Sequence, residues 1–323
     1  MLHIRILAPS QLASQAAALL TDNPAVSSVA VVPGASRKPV GDLVIADVAR
    51  EAANSVVEQL VALGIDDEGS IQIEPVHTWI SKSAIRAQRV APGRGADSVI
   101  WSDVSQRAFE ESELNWTHLF FMALATLIAG IAIILDSQIL VVGAMILGPE
   151  FVAIAGLGLA MVLGYWRLLA RSATTLVCGF SFAIAVTTCA ALAARALGWI
   201  VASDVTGPRP GTAFIYTPDK WSFIVALIAA AAGVLSLTSS KASGLSGVFV
   251  SVTTIPAAAN VALGIAFGLP DEIRGSLLQL ALNIGGMALA GWLTLSVQRV
   301  LRKRRINPSA TEARRAHPQK PRH

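Results

Sequence analysis

The spacing of hydrophobic residues changes at about residue 115 of the chain. Before that point, apolar and polar residues alternate over short stretches, as in β-strands, or recur every three or four residues, as in helices. After it, apolar runs follow one another, each of about the 20 residues that are needed to cross a lipid bilayer. The pattern predicts a small α+β domain followed by a membrane domain of helices.

Residues 1–76 are predicted to follow the element order βαββαβ, which is that of the ferredoxin-like fold. The alternating stretches predict strands over Leu2–Ala8, Val26–Val32, Asp42–Val48 and Ser70–Val76. The stretches with helical spacing predict helices over Ser10–Leu20 and Glu51–Gly64. A domain of about 75 residues buries only a modest core, so we expect it to dock or self-associate in the cytoplasm.

Residues 77–115 are predicted to connect the two domains. This stretch contains Pro92-Gly93 and mixed charges, which are typical of a linker. Its last part, Ser102–Leu114, is amphipathic and predicts a helix at the membrane surface.

The membrane domain, residues 116–298, is predicted to contain six spans. They are Trp116–Leu135, Ile139–Tyr165, Ser172–Ile200, Trp221–Leu237, Gly244–Leu269 and Gly275–Val297. Span 2 is interrupted at Gly148-Pro149-Glu150 and span 5 near Pro256, because proline removes a backbone donor and disturbs the preceding turn. These breaks leave open whether either span crosses the bilayer or re-enters it.

Composition and charge agree with a membrane protein. The chain is 54% hydrophobic and 14% charged, against about 25% charge in soluble domains, which excludes an ordinary soluble enzyme and a disordered protein. Basic residues dominate the tail, residues 299–323, and the loops that would share its side of the membrane. The positive-inside rule therefore predicts a bacterial-type inner membrane protein with both termini in the cytoplasm. The tail suits anionic lipid, and no nucleic-acid partner is expected.

The two halves of the membrane domain resemble each other. Ala129–Gln138 aligns with Ala232–Lys241, and Pro149–Ala160 aligns with Pro256–Phe267. Three spans in each half would make the second half enter from the opposite side, which is an inverted repeat of the kind found in transporters. The alternative is a chance similarity between Gly- and Ala-rich helices.

The interrupted spans carry the candidate binding residues. Glu150 lies near the middle of span 2, beside Gly148 and Pro149, and an intramembrane carboxylate is costly unless it serves a function. Such a group could exchange a proton or meet a cation; the alternative is a neutral side chain that is hydrogen-bonded to a neighbouring helix. Spans 5 and 6 supply the matching candidates: Thr253, Thr254, Pro256, Asn260 and Asn283. The alternative is that the Thr and Asn side chains serve only to hold neighbouring helices together.

Asp136 and Ser137 form the turn between spans 1 and 2. They could attract ions to an outer mouth, or Asp136 could cap the next helix. Rows of small residues would allow close helix contacts within the chain or between copies, and we expect a homo-oligomer. The sequence shows no catalytic, cofactor or metal-ligand signature, so it does not predict an enzyme.

The segment Ile134–Gly164 resembles the uncharacterised membrane family called domain of unknown function 389. The shared features are an acidic-Ser turn, a Gly-Ala-Met segment that ends in proline, a Gly-rich half-span and a basic loop: Asp136-Ser137, Gly143–Pro149, Gly156, Gly158, Arg167 and Arg171. Glu150 departs from this pattern, since an apolar residue usually follows the proline. The resemblance covers about residues 105–298 and implies no particular activity.

Two functions remain open from the sequence. The first is a transporter or channel that binds a small solute or ion between the two broken spans. The second is a sensor or scaffold, in which the N-terminal domain binds a ligand or partner and the spans anchor it in the bilayer. An enzyme that acts on lipid is a third class, but it lacks a nucleophile or metal set.

Overall fold

The computed structural model describes residues 1–76, 78–91, 101–212, 215, 220–238 and 254–306. They form two compact units, one made mainly of Met1–Asp103 and the other mainly of Val104–Leu237 and Lys241–Val300. The first contains the sheet and the second contains the apolar helices.

The first unit is a four-stranded antiparallel sheet with the strand order β2-β3-β1-β4. Its strands are β1 (Leu2–Ala8), β2 (Val26–Arg37), β3 (Val40–Val48) and β4 (Ser70–Pro75). Its first helices are α1 (Ser10–Asp22), α2 (Ala53–Ala62) and the short α3 (Ile65–Glu68). The predicted order of strands and helices is confirmed, with α3 as an addition.

The alternation of side chains in β1 directs its apolar residues into the core of this unit. Leu2, Ile4 and Ile6 point to one face of the sheet and are fully buried. Helix α1 presents Ala16 and Leu20 to the core on that face. The sheet therefore has one face covered by helices, as the period-2 pattern predicts.

Strand β2 is longer than predicted, because it continues through Pro33 and Gly34 to Arg37. It lies at the edge of the sheet, where the missing N–H of proline breaks no central ladder. Gly34 has a left-handed φ of 65° and donates its N–H to Asp42 Oδ1 at 2.9 Å. The Pro-Gly pair therefore marks an irregularity within the strand rather than its end.

A helix that the sequence did not predict, α4 (Lys82–Val90), lies in the connector. Ser81 caps it by accepting a hydrogen bond from the Ala84 N–H at 3.3 Å. Ala84 and Ala87 are buried, and the helix packs against β2 and β3. The buried face of α4 is formed by two alanines among charged residues, and this apolar pattern is too weak to predict a helix from spacing alone. The predicted amphipathic helix is present as α5 (Trp101–Glu111).

The second unit is built of helices. They are α6 (Trp116–Ile134), α7 (Gln138–Leu147), α8 (Glu150–Leu163), α9 (Trp166–Ala196), α10 (Ala202–Thr206), α11 (Lys220–Thr238), α12 (Thr254–Phe267) and α13 (Pro270–Ile306). In the described part of the chain, α6, α9 and α13 are long and apolar enough to cross a membrane, and α7 with α8 makes a fourth if the bent pair is one span. The count of six spans therefore stays a prediction, and part of the fifth predicted span lies outside the described residues.

Helices α6 and α9 run in the same direction. A Cβ on Gly179 of α9 would meet His118 near the start of α6, and one on Gly130, later in α6, would meet Thr187, later in α9. The connecting pair α7–α8 is bent by 57°. Since it leads from the end of α6 to the start of α9, the pair crosses the unit as one broken segment and does not turn back as a hairpin.

Candidate functional site

Helices α8 and α12 are half-length helices that lie end to end along α9. Each has 14 residues against 31 in α9, or about 21 Å against about 46 Å. Helix α8 ends where the turn at Gly164 leads into the start of α9. The end of α12 lies at the other end of α9, where Arg195 donates to the Ala266 carbonyl at 2.8 Å. The N-termini of α8 and α12 therefore meet near the middle of α9.

Glu150 and Thr254 are in contact where these N-termini meet. Each is the first residue of its helix, and Thr254 Oγ1 donates a hydrogen bond to Glu150 Oε1 at 2.7 Å. Glu150 is 6% exposed and Thr254 is 1% exposed. We call this meeting point the junction; it comprises Gly148, Pro149, Glu150, Thr254, Ile255 and Pro256.

The prolines explain why both helices begin there. Pro149 follows the end of α7 and occupies the N-cap position of α8. Pro256 lies in the first turn of α12, where a missing N–H costs nothing because the first four N–H groups have no partner within a helix. Gly148 leaves the space for the carboxylate: a Cβ there would overlap Glu150 Oε2 and approach Ile255 Cγ1 to 2.8 Å.

The junction combines two helix dipoles with one carboxylate. A helix N-terminus carries the equivalent of about half a positive charge, and two of them are directed at Glu150. The carboxylate also interacts with its own backbone N–H. Its second oxygen, Oε2, is buried and has no hydrogen-bond partner among the described residues.

Asn283 of α13 lies at the level of the junction. Ser276 of α13 bonds to Asn260 of α12, and Gly291 of α13 lies against Gly158 of α8. Asn283 falls between these two contacts, on the same helical stripe, and is 1% exposed. This register places it on the face of α13 that is directed at the ends of α8 and α12, and its Oδ1 accepts a hydrogen bond from Gln279 at 3.5 Å.

Asn260 belongs to a separate cluster. It lies six residues after Thr254 in α12, a rise of about 9 Å. Its Oδ1 accepts from Arg209 at 3.3 Å, and its Nδ2 donates to Glu272 at 2.6 Å and to Ser276 at 2.8 Å. Arg209 also forms an ion pair with Glu272 at 3.1 Å. We call these four residues the arginine network; the structure does not bring Asn260 together with Glu150.

Three residues of the arginine network, Arg209, Glu272 and Ser276, were not predicted as site residues from the sequence. Arg209 lies in the loop after α10, and Glu272 lies in the first turn of α13. Both belong to loops that were predicted to lie on the same outer side, so the signal was a pair of opposite charges there. The loop after α10 brings Arg209 next to Glu272, and the spacing of residues along the sequence does not reveal such a long-range contact.

Asp136 and Ser137 have different partners from those expected. Ser137, not Asp136, caps α7 by accepting from the Leu140 N–H at 3.4 Å. Asp136 adopts a left-handed φ of 47° and accepts from the Gly211 N–H at 3.1 Å and from Thr212 Oγ1 at 2.8 Å. Burial opposes its ionisation, but these hydrogen bonds outweigh it and lower the pKa of Asp136. The capping interpretation of Asp136 was therefore wrong.

A third polar cluster lies near the start of α9. Ser172 donates to Ser112 Oγ at 3.1 Å, and Thr175 donates to the Ser112 carbonyl at 2.7 Å. His118 is buried nearby, beside Gly179, and its Nε2 has no hydrogen-bond partner among the described residues. Ser and Thr residues occur at helical spacing in many parts of the sequence, so the sequence did not identify this cluster. Thr253, another predicted site residue, lies outside the described residues.

Comparison with known proteins agrees with the sequence resemblance. Residues 145–289 match the family described as domain of unknown function (DUF389). An uncharacterized protein of Methanocaldococcus jannaschii is 24% identical over 200 residues, which cover 62% of this chain and 60% of the length of that relative. No solved structure matches the chain. The segment that contains the junction therefore matches the uncharacterised DUF389 family, in agreement with the resemblance in the sequence.

Proposed function

We propose that the protein is a membrane transporter or channel for a small solute or ion, and that the junction is its binding site. The observation that supports this most directly is the contact of Glu150 and Thr254, buried at the opposed N-termini of α8 and α12. Its apolar helices are consistent with a location in a membrane.

The cost of the junction is the physical argument for a function. A carboxylate buried in a bundle of apolar helices loses its hydration, and Thr254 restores only one strong hydrogen bond. Breaking a helix also removes backbone hydrogen bonds, which membrane proteins tolerate where the break is inside protein or lines a cavity. Paired broken helices near the centre of a bundle are typical of substrate sites in secondary transporters.

The directions of the half-helices support the proposed inverted repeat. Helix α8 runs from the junction to the start of α9, whereas α12 runs from the junction to the end of α9. Equivalent half-helices that point in opposite directions are expected when the second copy enters the bilayer from the other side. Six spans in a bacterial-type inner membrane, with both termini in the cytoplasm, complete this proposal.

Flux through liposomes tests the proposed function. The full chain, reconstituted in vesicles, is assayed with a panel of monovalent and divalent ions and small neutral solutes. We expect flux of at least one of them, and we expect Glu150→Ala and Thr254→Val to change its rate. Thr174→Val is the matched control, because Thr174 is exposed and donates to the Ala170 carbonyl within its own helix. Absence of flux for every solute would favour the sensor or scaffold instead.

A further inference from the structure

We propose that the junction binds a small inorganic anion, and that the Glu150 carboxylate occupies the place that the anion takes. This inference rests on the proposed function, since it assigns the charge of the ligand at the same site. The sequence alone favoured a proton or a cation at Glu150; the opposed helix N-termini reverse that expectation.

The electrostatic field at the junction is positive. Helices α8 and α12 each contain 14 residues, so each has unpaired N–H groups at its start, apart from Pro149 and Pro256, and the equivalent of about half a positive charge. Because the two ends face one another, their fields add at the position of Glu150. The C-terminus of α7 at Gly148 opposes them with about half a negative charge, so the sum is on the order of half a positive charge.

Glu150 is the charge that balances this field. The sequences of α6, α7, α8 and α12 contain no lysine, no arginine and no second acidic residue, and His118 is their only other titratable group. The arginines of α9 lie at its ends, and Arg209 is engaged with Glu272 and Asn260. The carboxylate is therefore held by helix dipoles and by Thr254, not by a cation in these helices.

One oxygen of the Glu150 carboxylate receives no hydrogen bond from the described residues. Glu150 is 94% buried, yet Oε2 has no hydrogen-bond partner among the described residues. A buried acceptor without a donor costs free energy. A compact anion that replaced the carboxylate would receive the same dipoles and the Thr254 hydroxyl, and no covalent tether would fix its position.

The size of the space limits the ligand to a small anion. Gly148 and Ile255 close on the carboxylate, since a single Cβ on Gly148 would overlap Oε2 and approach Ile255 Cγ1 to 2.8 Å. If the carboxylate is removed, the volume that becomes available to a ligand is that of one carboxylate group. Chloride and nitrate have suitable size and charge, whereas sulfate brings a second charge and a larger radius.

The test uses Glu150→Ala, which removes the charge and vacates the volume of the carboxylate. The full chain is purified in detergent, and its unfolding temperature is measured while chloride or nitrate replaces gluconate at constant ionic strength. We expect Glu150→Ala to bind chloride or nitrate at least about tenfold more tightly than the wild type, a difference of about 1.4 kcal/mol. Glu110→Ala is the control, because Glu110 lies on α5 and accepts a hydrogen bond from Gln106 on the same helix.

A second variant separates the junction from other anion sites. Glu150→Ala combined with Thr254→Val should lose most of the gained affinity, because the hydroxyl donor is gone. A cooperative unfolding transition shows that each variant is folded. A folded Glu150→Ala that shows no response to either anion overturns the inference.

Flux measurements on the same proteins distinguish the two proposals. Anion flux that increases in Glu150→Ala supports both. Cation flux without an anion response overturns the anion inference and leaves the transport proposal in place. An anion response in Glu150→Ala without flux of any ion or neutral solute supports anion binding at the junction and overturns the transport proposal.

Discussion

The arginine network and the junction are both buried polar clusters, but their charges are balanced in different ways. In the arginine network, opposite charges pair and Asn260 uses both its oxygen and its nitrogen, with three neighbours. At the junction, one carboxylate receives one strong hydrogen bond and one of its oxygens stays without a partner among the described residues. The first arrangement is typical of a structural tie, and the second retains capacity for a ligand.

The difference between the two clusters indicates which buried polar residues are candidates for a function. Sequence reasoning placed Asn260 and Glu150 in one site, because both are polar and occur in interrupted spans. The structure shows that polarity at a given depth is not enough. A group whose partners are all supplied by the protein stabilises the fold, whereas a group with an unused atom in a positive field is a candidate for binding. The following predictions test this distinction.

The largest effect is expected when the arginine network is broken from one side. Arg209→Met should lower the free energy of unfolding by about 3 kcal/mol, because Glu272 and Asn260 lose their cationic partner in a buried setting. Unfolding of the purified protein in detergent measures this change. The double variant Arg209→Met/Glu272→Met should recover most of the loss, since neither charge is then left alone. A single variant as stable as the wild type would contradict the structural role.

A smaller effect is expected when the space beside Glu150 is filled. Gly148→Ala should cost about 2 kcal/mol of stability, because the added methyl group overlaps the carboxylate and crowds Ile255. Gly143→Ala is the matched control on the preceding helix α7: no atom lies within 4 Å of its added Cβ. That control should be neutral or slightly stabilising, since alanine favours a helix over glycine. Equal effects of the two substitutions would refute the packing described at the junction.

Removing the side-chain donor to Glu150 should have a modest effect on stability. Thr254→Val deletes the hydroxyl group and preserves the shape, so we expect a loss of about 1 kcal/mol. Thr254→Ser keeps the donor and should retain most of the stability. Comparison of the two unfolding curves isolates the hydrogen bond from packing. If serine and valine behave alike, the hydrogen bond contributes nothing measurable and the junction is held by packing alone.

The smallest effect concerns Asp136 and depends on pH. Its pKa is lowered in the folded protein, so its stabilisation is present above the unfolded value of about 4 and is lost as the pH falls through the folded value. Asp136→Asn should therefore unfold at a lower temperature than the wild type at pH 7. The difference should shrink as the pH falls below the unfolded pKa value and through the lowered folded one. A difference that is independent of pH would show that the carboxylate charge is not involved.

Local patterns predicted much of the fold. Strand β1 has the predicted bounds, Leu2–Ala8, because alternation over seven residues specifies a one-sided strand. The break at Pro149 was predicted because proline is incompatible with a helix interior. Glu150 and Thr254 were both predicted as site residues, and the sequence repeat placed them at similar depth. Their contact follows from the proline that starts each half-helix.

Long-range geometry supplied what the sequence did not. Arg209 reaches Asn260 and Glu272 because the loop after α10 folds onto the ends of α12 and α13, and no spacing rule gives that path. Helix α4 was missed because its buried residues are two alanines. Ser137, and not Asp136, caps α7, since the choice between adjacent polar residues depends on the dihedral angles of the turn.

The head-to-head arrangement of α8 and α12 has a mechanical consequence. A continuous helix resists bending because each turn is tied to the next by several backbone hydrogen bonds. At the junction, the direct hydrogen bond between the two half-helices in the described part of the chain is the side-chain bond from Thr254 to Glu150. A tilt of one half-helix relative to the other therefore breaks a single replaceable bond, so the junction is a natural hinge inside an otherwise stiff helical unit.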